Sequence, residues 1–94
     1  MAKGKILLVE EDKKLSARVK AQLEKNAWQV IWAASAREAE HRMRREAMDL
    51  ILLDTDLPDE SGVEFCKRIR KITFVPVVFL GNTSDGDRIA EALN

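Results

Sequence analysis

Ninety-four residues accommodate one domain with a single modest core, and 46% hydrophobic content with four Gly and two Pro excludes a disordered or fibrous chain. Sixteen basic and sixteen acidic residues cancel to zero formal charge, which excludes a global field drawing the domain to nucleic acid or to a membrane surface. Cys66 is the single cysteine and forms no internal disulfide, and "MAKGKILLVEED" is too poor in apolar residues for a signal peptide or a spanning helix, so a cytoplasmic location is expected.

In chain order, "KILLV" (5–9) is a short continuous apolar run, the pattern of a parallel strand covered on both faces. Leu15, Val19 and Leu23 then share one face of a first helix, for which Asp12 is a plausible cap. "WQVIWA" (28–33) is more mixed, as suits an edge strand; Trp28 and Trp32 share one of its faces, either as core or as an interaction patch. Ala36, Ala39, Met43 and Ala47 carry a second helical period, opened by a capping box of Ser35 and Glu38. "DLILLD" (49–54) is another buried strand. Val63, Phe65, Cys66 and Ile69 form the apolar face of a third helix, "VPVVFL" (75–80) a fourth strand, and Ile89, Ala92 and Leu93 a fourth helix capped by Ser84.

This β-α alternation predicts a parallel sheet with helices on both faces and a ligand site beyond the carboxyl ends of the strands. Two strands end there in acid: Glu10, Glu11 and Asp12 after the first, Asp54 after the third. If the two strands are neighbours, like charges converge and require a neutralising partner. Mg²⁺, a hard cation taking few protein oxygens, fits, and a carboxylate beside it can attack phosphorus to form an aspartyl phosphate.

The blocks "KILLVEED", "DLILLDTDLPDESGVEFCKRIR" and "VPVVFL" together resemble the receiver domain of bacterial two-component response regulators. The resemblance implies a flavodoxin-like three-layer fold of strand order 2-1-3-4(-5), with residues 1–94 forming a receiver lacking its last β-α unit. It implies Asp54 as phosphoacceptor, Mg²⁺ held by Glu10, Glu11, Asp54 and the Asp56 carbonyl, and a loop shaped by Pro58 and Gly62. The expected partner is a sensor histidine kinase or phosphotransfer protein, with an output domain in a longer chain, no direct nucleic-acid contact and no membrane. The domain would catalyse its own modification and not be a conventional enzyme.

Three positions depart from the family pattern. Glu11 stands where Asp is usual, and the longer side chain displaces an oxygen that an Mg²⁺ octahedron positions tightly. Gly81 stands where a Ser or Thr switch residue is usual, leaving Thr83 or Ser84 as nearby hydroxyls. The chain stops at "RIAEALN", before the fifth strand and its lysine, which would leave the fourth strand as an apolar edge. The expectation is that this sequence is part of a longer protein; a homodimer through that edge is the alternative.

Rival functions are a phosphorylation-independent pseudo-receiver acting as a protein-binding module, and a phosphatase of the haloacid-dehalogenase type, which "LLDTD" also fits. The phosphatase requires a different residue at Pro58 and a lid domain for which the chain is too short. A flavodoxin requires a hydroxyl- and Gly-rich loop where "VEEDKK" would repel phosphate. Cys66 reads as packing, His41 as a surface residue, and "RMRR" and "KRIRK" as solvated helix faces.

Overall fold

The structure, a computed structural model, describes residues 3–80. Seven elements follow in order: β1 (Lys5–Val9), α1 (Lys13–Lys25), β2 (Gln29–Ala33), α2 (Ala36–Arg45), β3 (Leu50–Asp54), α3 (Gly62–Ile69) and β4 (Val77–Leu80). The strands form one parallel sheet in the order β2-β1-β3-β4, as expected, with Leu8 opposite Trp32 and Leu52, and Asp54 opposite Leu80.

The period-two alternation of the strands builds the layers. Ile6, Leu8, Leu50 and Leu52 project to one face, where Leu15, Val19 and Leu23 of α1 cover them. Leu7, Val9, Ile51 and Leu53 project to the other, against Ala36 and Ala39 of α2 and Phe65 and Ile69 of α3. With both faces covered, the central strands must be apolar at successive positions, which is why "ILLV" and "ILL" are continuous runs; each such leucine contributes about 2 kcal/mol by burial. Trp28 and Trp32 both pack against the α1 cluster, so the shared tryptophan face is core.

The helix starts are set by side chains. Asp12 accepts the Lys14 and Leu15 amides, and Ser35 accepts the Glu38 amide. Glu38 reaches back to the Ala34 amide, one residue before the cap. The helix ends differ from expectation. α2 stops at Arg45, so Ala47 lies outside it and is exposed, and Val63 on α3 is 46% exposed instead of joining the apolar face. Strand β4 begins at Val77 because Pro76 has no N–H to give the ladder; its carbonyl still accepts the Ile51 amide at 2.9 Å. Within the described residues β4 is paired on one side only, with Val78 and Phe79 over a third exposed. The expected fourth helix, Gly81, Thr83 and Ser84 lie outside the described residues. No helix among the described residues is long and apolar enough to cross a membrane.

Candidate functional site

Strands β1 and β3 are neighbours, so their carboxyl ends place Glu10 and Asp54 side by side. Glu10 is 3% exposed although it carries a carboxylate. Its amide bonds the Ala33 carbonyl of β2 at 3.0 Å, and its carbonyl accepts the Trp32 indole N–H at 2.7 Å and the Ser16 hydroxyl at 3.3 Å. One carboxylate oxygen, Oε2, accepts the Asp12 amide at 3.0 Å, while Oε1 is buried with no hydrogen-bond partner. Burial pushes the Glu10 carboxyl up to about 7 and the adjacent Asp54 adds to this, against the opposing pull of the Asp12 amide. A buried acid beside another acid needs a proton or a cation between them.

Asp54 is partly buried, and its Oδ1 accepts the Asp56 amide at 3.2 Å, so the loop folds back over the carboxylate. Asp56 pairs with Ser61 in an antiparallel bridge, closing the turn that contains Pro58. Gly62, the first residue of α3, is required by proximity, not by its backbone angle. A Cβ there would lie 2.1 Å from the Asp54 carbonyl oxygen, and no glycine among the described residues has positive φ. Its N–H bonds the Thr55 carbonyl at 2.8 Å.

The acids converge less than the sequence suggested. Glu11 and the Asp56 side chain are exposed, and Asp12 is committed to capping α1. Two carboxylates meet at the strand ends, and no group of three acidic, His or Cys side chains able to hold a metal occurs among the described residues. Three of the residues nonetheless suit a hard cation: Glu10 offers an orphaned buried oxygen, Asp54 a neighbouring carboxylate, and Asp56 a loop carbonyl. Elsewhere, Cys66 is partly buried against the core and His41 is exposed on α2, as expected.

Two contributors were missed by sequence reasoning. Asp59 accepts the Ala36 and Arg37 amides, both at 2.9 Å, and so ties the loop after β3 to the start of α2. Burial works against its charge, but those amides outweigh it and hold the carboxyl below its usual value. Trp32 is the other, through its bond to Glu10. Both contacts join residues more than twenty positions apart, beyond the reach of a local pattern.

A family model described as the response regulator receiver domain matches residues 6–94. Among curated proteins, the transcriptional regulatory protein CrdR of Helicobacter pylori is 35% identical over 96% of this chain and 43% of its own length. YvrH of Bacillus subtilis, also a transcriptional regulatory protein, is 35% identical over 96% of the chain and 39% of its own. The chain thus spans about two fifths of the length of the curated relatives it matches. Among solved structures, the non-phosphorylated HemR receiver domain of Leptospira biflexa is 38% identical with a TM-score of 0.75, over 82% of this chain and 63% of that one. The chemotaxis response regulator CheY4 of Vibrio cholerae is 28% identical with a TM-score of 0.80, over 99% and 79%. With the family model matched over residues 6–94 and the parallel sheet shared with these solved structures, the chain belongs to the response regulator receiver domain family.

Proposed function

We propose that Asp54 accepts a phosphoryl group from the phosphohistidine of a sensor kinase or phosphotransfer protein. The observation that carries this is the pairing of Asp54 with the buried Glu10, whose Oε1 has no partner. In the transfer, a carboxylate oxygen of Asp54 forms a bond to phosphorus as the phosphorus–nitrogen bond breaks, and the imidazole keeps the electron pair. Glu10, Asp54 and the Asp56 carbonyl would hold Mg²⁺, with Glu11 reaching it from solvent; bound there, the ion neutralises the charge that gathers on the acids and the phosphoryl oxygens.

The chain's own residues do the rest. Glu10 is fixed by bonds to its amide, carbonyl and Oε2, Asp56 restrains Asp54 through its amide, and Gly62 lets α3 approach the Asp54 carbonyl. The domain modifies itself once per cycle and does not turn over a substrate. The added charge biases a surface that an output region reads, in the cytoplasm, as the transcriptional-regulator names of the relatives suggest.

Intact mass after incubation with Mg²⁺ and acetyl phosphate tests this reading. One added phosphoryl group, absent in Asp54→Asn, is the expected result. No added mass in a folded protein extended through the fifth strand would transfer the assignment to a pseudo-receiver that binds partners without phosphorylation.

A further inference from the structure

We propose that Trp32 is a positioning residue for the cation site, acting through the main-chain carbonyl of Glu10; this rests on the reading of Glu10 and Asp54 as that site. Trp32 stands on β2, opposite Leu8 of β1, and packs against the cluster under α1. Its one polar atom, Nε1, donates to the Glu10 carbonyl at 2.7 Å. The Ser16 hydroxyl, 3% exposed on α1, reaches the same oxygen at 3.3 Å. With the Glu10 amide on Ala33 and Oε2 on the Asp12 amide, every polar group of Glu10 is restrained except Oε1.

That arrangement matters for Mg²⁺ because its near-ideal octahedron tolerates little displacement of a ligand oxygen. An acid following the last residue of a strand has a peptide free to rotate unless something holds it. Here the indole joins β2 to the residue that supplies the free oxygen, so the ligand is set before the ion arrives.

Trp28 provides an internal control. It packs against the same cluster as Trp32, yet its indole N–H has no hydrogen-bond partner. The two tryptophans therefore separate packing from hydrogen bonding.

The test is Mg²⁺ titration by calorimetry at pH 8 on the wild type, Trp32→Phe and Trp28→Phe, with metal-free melting temperature and the acetyl phosphate reaction followed in parallel. Trp32→Phe should weaken Mg²⁺ binding roughly three- to ten-fold, the worth of one hydrogen bond. It should slow phosphorylation at low Mg²⁺, and raising Mg²⁺ should restore the rate. Trp28→Phe should leave Mg²⁺ affinity unchanged whatever it does to stability. If Trp32→Phe does not fold, substitution of Trp32 by benzothienylalanine removes the N–H while keeping the bicyclic shape, with the same expected loss. Equal Mg²⁺ affinity in the wild type and in a folded N–H-deficient variant overturns the role of Trp32 and leaves the site standing. A folded wild type that binds no Mg²⁺ overturns the site and this role together.

Discussion

Acids sit at both ends of the sheet, in different company. At the amino end, Asp49 accepts the Lys5 amide at 2.7 Å, and Glu46 lies 3.8 Å from the Lys5 ammonium, though its second oxygen has no hydrogen-bond partner. At the carboxyl end, Glu10 and Asp54 lie together, and the ion pairs made by Lys5, Lys20, Arg44, Lys67 and Arg68 go to other acids. Among the described residues, the acids of the amino end have the Lys5 amide or ammonium beside them, whereas Glu10 and Asp54 have each other. Holding two like charges together costs stability, and sites that carry such a cost are commonly functional ones.

The two described glycines sharpen the contrast. A Cβ on Gly62 meets backbone at 2.1 Å, whereas one on Gly4 meets only side-chain atoms and at longer range, Asp49 Oδ2 at 2.9 Å and Trp28 Cζ3 at 3.1 Å, so a shift of a few tenths of an ångström relieves it. Gly62→Ala should therefore cost about 3 kcal/mol in urea unfolding and impair phosphorylation, and Gly4→Ala about 1 kcal/mol or less with the site intact. Equal costs would mean that the carboxyl-end loop is looser than its geometry implies.

The next effect is one of pH. A carboxyl whose folded value lies above its unfolded one binds its proton more tightly in the native state, so stability is greatest below the unfolded value and falls as pH rises. For Glu10 that window runs from about 4.5 to about 7, and the metal-free protein should lose on the order of 3 kcal/mol across it. Glu10→Gln should lose that part of the slope, seen as a difference between the two stability profiles, and so be the more stable protein at pH 8. At the other end, Lys5→Met removes a partly exposed pair and should cost about 1 kcal/mol or less, with no effect on Mg²⁺ binding.

Two smaller changes lie one at each end of the sheet. Asp59→Ala removes the acceptor of two amides at the start of α2 and should cost about 1 kcal/mol near neutral pH, less in acid, where the wild-type carboxylate is itself protonated. Ala27, in the turn after α1, has φ 72°, a left-handed conformation that glycine adopts without a Cβ clash. Ala27→Gly should stabilise the protein by about 1 kcal/mol in thermal or urea unfolding.

The sequence carried the layers because a strand buried on both faces can only be an apolar run, and the helices beside it must show a period. Glu10 and Asp54 were legible for the same reason: an acid at the end of such a run has no packing role. The boundaries were not. Nothing local in "RREAMD" marks Arg45, instead of Ala47, as the end of α2, and Val63 is as apolar as its buried neighbours. The acids also looked alike in sequence, and the fold divided them. Asp12 became a cap, Glu11 faces solvent, and Glu10 was buried by contacts from β2 and α1.

The carboxyl ends of β1 and β3 gather negative charge that, in the proposed function, a cation offsets. Thermal unfolding at pH 8 with and without Mg²⁺, on the wild type and Glu10→Gln, tests it directly. The wild type should show a Mg²⁺-dependent rise in melting temperature that is lost or sharply reduced in Glu10→Gln. A wild type indifferent to Mg²⁺, or an equal rise in both proteins, would contradict it.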